Sequence, residues 1–395
     1  MSIFQRFLKN SRGSMGVSLG LGLVPIVAVM GLAVDYSNSV SAKYRLQQVL
    51  DSTATAIATD TDASLIPPAA LQARAQTYAQ SLSGGLDVEG LTLTVTLTAD
   101  EVSVVGSAQT KLTFGQIFGQ NSREVRVAVT VLRGKMKNIE LAMVLDNTGS
   151  MAGQKITQLR AAVKGLVDFF EPRVEKQGDV KIAMVPFTNA VRVERSWMPN
   201  WMLRTNPPNN WSGCVQDRSA PYDITDQAPS SGVGDSLYWW TGGCGQLAEI
   251  IPMTDNLGKI RDAADTMIAS GTTNVPLGMA WGWHALSSGL PLTEGSPPEA
   301  ENKVRVMIVL TDGENTQHRW AGGSNGIDDR MRLICTNVKN TGITVFTVRV
   351  INGDANLLRD CATSPNHYFN VTNANQLKPV FEQIASAMSK MRIAK

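Results

Sequence analysis

The residues most able to do chemistry are oxygen donors in three separated stretches. They lie in Asp146-Asn147-Thr148-Gly149-Ser150, in Gly271-Thr272-Thr273-Asn274 and in Thr311-Asp312-Gly313-Glu314. Two carboxylates and three hydroxyls form a hard, oxygen-only set, which suits Mg²⁺, Mn²⁺ or Ca²⁺ and not zinc or copper. Such a set leaves a divalent ion short of donors, so the ion keeps water at an open position where a carboxylate from another protein can bind. The expected chemistry is metal-assisted binding and not bond cleavage. Taken singly, Asp146 reads equally well as a helix N-cap, but that reading does not account for Asp312 and Thr273 together.

Elements with the right geometry surround these stretches. Ile139 to Leu145, Val180 to Val185, Val304 to Leu310 and Ile343 to Val348 are short apolar runs of the kind that form strands buried on both faces. Ile156, Leu159, Val163, Leu166 and Phe170 recur at helical spacing, and Leu277, Met279 and Leu286 follow the threonine stretch. Strand then helix, repeated, predicts an α/β domain with a doubly wound, mostly parallel sheet, whose ligands sit at the carboxyl ends of strands. Asp146 and Asp312 each directly follow such a run.

Enzymatic readings fit less well. Gly322-Gly323-Ser324-Asn325-Gly326 matches the G-x-S-x-G pattern, with His367 downstream, but Ser324 lies far past the strand that a nucleophile elbow must leave directly, so the cluster reads as a loop. An Mg²⁺-dependent phosphatase with Asp146 as nucleophile would want a second acid where Thr148 stands. His284 reads as a packing residue or a hydrogen-bonded surface group and not as a ligand. His318 reads as a solvent-exposed residue or a part of the metal rim. No phosphate-cradling or dinucleotide-binding glycine pattern occurs at a strand-helix turn.

The three fragments together resemble the metal-ion-dependent adhesion site of the von Willebrand factor type A domain, with its D-x-S-x-S motif, separate Thr and separate Asp. The resemblance covers roughly residues 138 to 390. It assigns Asp146, Thr148 and Ser150 to the first motif, Thr273 to the loop threonine and Asp312 to the last carboxylate, with Thr148 replacing the commoner Ser. It implies a divalent cation, with Mg²⁺ expected and Mn²⁺ or Ca²⁺ as alternatives, and a protein partner that presents a carboxylate to it.

The chain has 395 residues, with 36 Lys and Arg against 34 Asp and Glu and a formal net charge of +2. Neither an overall field nor a basic cluster is present to attract nucleic acid. Only 18% of residues are charged, below the ~25% usual for soluble proteins, and much of the apolar excess lies near the start. Residues 16–34 carry no charge and are long enough to span most of a hydrocarbon core of ~30 Å. Arg6, Lys9 and Arg12 precede the run and Asp35 follows it, which predicts a cytoplasmic N-terminus, a single pass and export of everything after Tyr36. A cleaved signal peptide ending near Ala33 is the competing reading, and the length of the run argues against it. Cys214 with Cys244 and Cys335 with Cys361 are the sequence-nearest pairs; export allows both disulfides, with buried free thiols as the alternative.

Leu46, Leu50, Thr53 and Ile57 extend the membrane helix outward as an amphipathic one whose apolar stripe needs a partner. Leu71, Ala75 and Tyr78 mark a second helix, and Leu91 to Thr98, Glu101 to Val105 and Glu124 to Leu132 three strands, giving a small α+β module. The organisation expected is an anchor over 1–60, a stalk module over 61–137 and the α/β domain over 138–395. A Trp-, Pro- and Gly-rich insertion over about 196–251 reads either as a specificity surface or as a self-packed cap.

Arg12-Gly13 before the apolar run, Gly31-Leu32-Ala33-Val34-Asp35-Tyr36 at its end, and Tyr44-Arg45-Leu46-Gln47-Gln48 before an Ala-rich helix resemble the N-terminal region of TadG-type proteins of bacterial Flp (tight adherence) pilus systems. No Glu lies between Gly13 and Tyr36, a departure from the pattern at which related pseudopilins are cut. This resemblance implies an inner-membrane protein with its bulk in the periplasm, a role in pilus assembly or anchoring, and other pilus components as partners. A structural spacer with a metal-free type A domain, or a surface adhesin, are the other binding-class expectations.

Overall fold

The structure, a computed structural model, describes residues 14–60, 62–84, 88–98, 101–133, 138–174, 176–320 and 323–391. The basic residues Arg6, Lys9 and Arg12, on which the expected orientation rests, lie outside the described residues, as do Gly13 and Gly322. The chain forms two units, residues 1–135 and 136–395.

In the first unit, helix α1 (Ser14–Ala58) runs unbroken through Pro25. Its large apolar side chains from Leu19 to Val34 are exposed, whereas Leu46, Val49, Leu50, Ala54 and Ile57 are buried. The partner that this stripe requires is a three-stranded antiparallel sheet of β1 (Val88–Leu97), β2 (Glu101–Lys111) and β3 (Ser122–Leu132), in the order β1-β2-β3. Val102, Val104 and Ala108 of β2 and Val125, Val127 and Val129 of β3 supply its inner face at the strand period of two. Helix α2 (Pro68–Leu82) buries Leu71, Ala75 and Ala79. Tyr78, grouped with that stripe by spacing, is turned outward, because the buried face follows i, i+4, i+8. On α2, Gln76 donates to the Leu91 carbonyl at 2.7 Å and accepts from the Leu93 amide, and Gln72 accepts from the Val95 amide at 2.9 Å. Two side-chain amides therefore occupy main-chain positions along the edge of β1.

In the second unit, β4 (Asn138–Asp146) is followed by helix α3 (Gln154–Phe170) and β5 (Val180–Phe187). Then come β6 (Val191–Arg192), the insertion with β7 (Cys214–Gln216) and β8 (Trp239–Trp240), β9 (Ile251–Thr254), α4 (Leu257–Thr266) and α5 (Val275–Leu286). The chain ends with β10 (Lys303–Thr311), α6 (Gly323–Asn340), β11 (Thr344–Val350), α7 (Ala355–Cys361), β12 (Tyr368–Val371) and α8 (Leu377–Met391). The apolar runs are thus the strands, each extended by a residue or two beyond its apolar core. The nine-stranded sheet has the order β12-β11-β10-β4-β5-β6-β7-β8, with β9 antiparallel to β5; β12, β11, β10, β4 and β5 are mutually parallel.

Alternate residues of each central strand feed opposite cores. Leu141, Met143 and Leu145 of β4 pack with α3, α4 and α8, while Ala142 and Val144 pack with α5, α6 and α7. All five α3 positions read from the sequence are buried. Helix α5 lies close on the sheet because Gly278 and Gly282 leave room: a Cβ there would come within 2.6 Å of Phe187 and 2.5 Å of Val144. The insertion is neither a free loop nor a separate cap. It adds β7 and β8 to the sheet edge beyond β6, buries Met202, Trp211, Val215, Ile224 and Tyr238 in the core on the α5 side, and is stapled by the Cys214–Cys244 disulfide. A second disulfide, Cys335–Cys361, ties α6 to α7.

Helix α5 is buried along its whole length because the insertion covers its outer face. Within it, His284 Nε2 lies 2.6 Å from the Tyr238 hydroxyl. Burial pushes Tyr238 up to about 12, and burial together with the positive charge of Arg218 holds His284 well below the ordinary histidine range, so the pair stays neutral. A histidine neutral in the fold contributes stability above its unfolded pKa of ~6.5 that is lost as pH falls below that value, by at most ~1.4 kcal/mol per pH unit. Chemical denaturation between pH 7 and 5 is expected to show a shallower loss of stability in His284→Gln than in the wild type.

Candidate metal centre

Progressing from β4 to β5 moves the chain one way across the sheet, and progressing from β10 through β11 to β12 moves it the other way. The reversal lies between the neighbouring strands β4 and β10, which are paired in register from Lys303↔Asn138 to Leu310↔Leu145. At such a switch point the connections leave to opposite faces and open a crevice beyond the carboxyl ends of the strands. Asp146 ends β4, and Asp312 follows Thr311 at the end of β10.

Asp146 is fully buried. One carboxylate oxygen accepts from the Thr148 amide at 2.8 Å, and the other accepts from the Thr311 hydroxyl at 2.6 Å. It is not a helix N-cap, since α3 begins only at Gln154 after a short 3₁₀ turn at Gly149–Met151. The Thr148 and Ser150 hydroxyls lie 2.9 Å apart, and Ser150 Oγ donates to Asp312 Oδ1 at 2.5 Å. Asp146, Thr148, Ser150 and Asp312 are therefore linked in one hydrogen-bonded series, the first link through the Thr148 amide. A Cβ built on Gly313 would lie 3.4 Å from Thr273 Oγ1 and 3.5 Å from Ser150 Oγ, so the Thr273 hydroxyl faces Ser150 across Gly313. The structure brings all five residues read from the sequence to one crevice. Ser150 and Gly149 are exposed at its mouth, and Asp146, Thr148, Thr273 and Asp312 lie beneath.

The three loops are fastened to one another through their main chains. Gly149 N–H donates to the Gly271 carbonyl at 3.0 Å, and Ser270 N–H donates to the Asn147 carbonyl at 2.8 Å. Thr273 N–H donates to the Thr316 hydroxyl at 2.9 Å, while its carbonyl accepts from the amides of Thr316 and Gln317. Asn274 caps α5 and donates its side-chain amide to both oxygens of Asp217, a carboxyl that burial pushes up against the opposing influence of His318.

The electrostatics suit a cation. Burial raises the Asp146 carboxyl to about 6 despite the hydroxyls of Thr148 and Thr311, and the neighbouring Asp312 adds to the shift. The nearest positive charge is Lys155, in the first turn of α3. Its ammonium lies 2.5 Å from Asp312 Oδ2 and donates also to the Ser150 carbonyl. One ammonium beside two buried carboxylates leaves negative charge uncompensated, so the donor set fits a hard divalent ion. Among the described residues no group of three or more His, Cys, Asp or Glu side chains could hold a metal, which leaves the hydroxyl-rich set as the candidate.

Sequence reasoning missed Lys155, because a lysine in an amphipathic helix carries no signature of what it faces. It also missed a stack of one cation between two aromatic rings. Arg319 stacks 4.0 Å from the Trp239 ring centroid and 5.2 Å from that of Trp320, joining the insertion to the loop after Asp312. The His318 side chain, read as solvent-exposed or as part of the metal rim, is instead only 1% exposed and lies 3.4 Å from Asp217 and 3.7 Å from Asp223. Two carboxylates from the insertion draw the ring inward. Ser324 belongs to the opening of α6.

Comparison with known proteins follows the same division. A von Willebrand factor type A domain family model matches residues 248–383, and a Flp pilus-assembly TadE/G-like model matches residues 13–60. The first match takes in Thr273 and Asp312 and begins at the end of the insertion, so Asp146, Thr148 and Ser150 lie before it. Mouse matrilin-2 is 28% identical over 97 residues, which is 24% of this chain and 9% of that protein, so the chain spans only a small part of the curated relative that it matches. Among solved structures, the vWF domain of the type V pili tip protein Mfa5 of Porphyromonas gingivalis is 13% identical, with 66% of this chain and 97% of that one covered at a TM-score of 0.41. The pilus adhesin SpaC of Lactobacillus rhamnosus GG is 12% identical, with 78% and 34% covered at 0.43. Proximal thread matrix protein 1 of the mussel byssus, solved with a zinc-occupied MIDAS motif, is 15% identical, with 65% and 47% covered at 0.38. The chain thus joins a TadE/G-like N-terminal segment to a C-terminal von Willebrand factor type A domain.

Proposed function

We propose that this chain is a membrane-anchored component of a pilus system whose type A domain docks a protein partner through a divalent cation. Asp146, Thr148, Ser150, Thr273 and Asp312 would hold the ion, with Mg²⁺ expected and Mn²⁺ or Ca²⁺ able to replace it. The single observation that carries this reading is the meeting of two buried carboxylates and three hydroxyls at the β4/β10 switch point, with Ser150 open to solvent. When bound, the ion supplies an electrophilic place for a carboxylate of the partner. The chain's own residues orient the acceptor oxygens, and the Trp239-Arg319-Trp320 stack offers a cationic, aromatic rim. The set is one for binding and not for hydrolysis, since the position next to Asp146 that a phosphatase would fill with an acid holds Thr148.

Residues 16–34 of α1 would cross the bacterial inner membrane once, with the N-terminus cytoplasmic and everything after Tyr36 beyond it. Among the described residues α1 is the helix long and apolar enough to do so. The TadE/G-like segment and the words "pilus" and "pili" in the names of two similar structures support the pilus setting.

One observation favours a second reading, a metal-free spacer: Lys155 already neutralises Asp312. Calorimetric titration of Mg²⁺ into the purified full chain separates the two. Asp146→Ala and Asp312→Ala are expected to abolish Mg²⁺ binding and EDTA-sensitive capture of partner while the domain keeps its circular dichroism spectrum. Retention of cation-dependent capture in both variants would overturn the docking reading. Lys155→Met removes a competing charge worth roughly 1.4 kcal/mol and is expected to tighten Mg²⁺ binding by about tenfold; unchanged or absent binding favours the spacer.

A further inference from the structure

The connection between β2 and β3, residues 112–121, carries large apolar side chains that the fold does not bury. Residues 112–122 contain no charged residue, and Lys111 and Arg123 flank them. The connection contains a 3₁₀ turn, Gly115–Phe118, on which Ile117 is 76% and Phe118 59% exposed.

Its position is fixed by Asp35, the first charged residue after the apolar run of α1. One oxygen of Asp35 accepts from the Thr113 amide at 2.8 Å, and the other accepts from the amides of Phe114 at 2.8 Å and Gly115 at 2.7 Å. Three main-chain donors on one buried carboxylate hold the turn against the helix. One helical turn earlier, a Cβ on Gly31 would fall 2.5 Å from the Phe114 ring, so only glycine lets that ring lie against α1. Phe114 is therefore level with Gly31, inside the uncharged stretch 16–34, which spans about 28 Å of helix. Between helix and turn lies a groove of about 620 Å³, lined by Leu32, Ala33 and Tyr36 on one side and Leu112 and Phe118 on the other, with Arg123 also on its wall.

We infer that this turn is a second membrane contact, a foot whose Ile117 and Phe118 side chains enter the outer boundary of the bilayer that α1 crosses, with Arg123 at the height of the lipid phosphates. The inference rests on the anchor reading of α1 given above. If residues 16–34 fill the hydrocarbon core, a group fastened beside Gly31 and Asp35 stands at the hydrocarbon-headgroup boundary whatever else it touches. Exposed apolar side chains between basic flanks suit that boundary, where apolar bodies enter the lipid and cationic ends reach the phosphates. A helix alone is free to rotate and tilt in a membrane; a helix with a rigidly attached foot is held at one rotation.

Spin labelling of the full chain in phosphatidylcholine and phosphatidylglycerol vesicles tests this, because its four cysteines are all in disulfides. Labels are placed at Ile117→Cys, at Val27→Cys within the span and at the exposed Thr96→Cys on β1, and their collisions with oxygen and with a water-soluble nickel chelate are compared. Ile117 is expected to match Val27, favouring oxygen, while Thr96 favours nickel. Adding Asp35→Ala to the Ile117 label should shift it to the Thr96 pattern and leave Val27 unchanged. An Ile117 label in water while Val27 is in lipid overturns the foot alone. An Ile117 label shielded from both reagents assigns the turn to contact between copies and also overturns it. A Val27 label in water removes the anchor reading and the foot with it.

Discussion

Two carboxylates must share one crevice because the sheet changes direction between β4 and β10, and the repulsion between them is the constraint around which the C-terminal unit is arranged. Strand pairing in register delivers Asp146 and Asp312 to the same edge of the sheet, where neither can retreat into solvent without breaking its strand end. The neighbours answer that repulsion in kind. Thr311 and the Thr148 amide satisfy Asp146, while Ser150 and Lys155 satisfy Asp312. The hydroxyls are neutral and therefore leave the excess charge in place, unlike an ordinary buried ion pair, in which the charges cancel. Main-chain bonds between the loops then keep the oxygens together without calling on the side chains that would meet a ligand.

Much of this was legible in the residues. Strands buried on both faces leave uninterrupted apolar runs, so β4, β5, β10 and β11 could be read directly, as could the buried stripe of α3. The order of the strands could not, because pairing is decided by packing across the sheet rather than by any local pattern. Once the order is known, Asp146 and Asp312 become neighbours by geometry alone. The short strands β6, β7 and β8 were hidden among Pro, Gly and Trp, since two or three residues are too few to show a period. His318 illustrates the limit most plainly. Its neighbours in sequence are polar and exposed, but Asp217 and Asp223, about a hundred positions earlier, draw it under the surface.

The insertion has a double character that composition alone could not separate. Trp211 and Tyr238 extend the hydrophobic core, whereas Trp239 and Trp240 lie partly open at the new sheet edge, where Trp239 meets Arg319. Successive positions of one strand face opposite ways, so a single stretch serves both packing and surface. The buried half accounts for the closure of α5, and with it for the rigid placement of Thr273 at the start of that helix.

The first unit solves a different problem. A small three-stranded sheet is open to unwanted strand addition at its borders, and the glutamines of α2 answer that hazard on one side. Gln72 and Gln76 imitate a peptide backbone along β1, so a stray extended segment approaching there finds its bonding places taken. Any lateral zippering between copies is thereby confined to the opposite border, giving the module a polarity that chemically symmetric edges would lack.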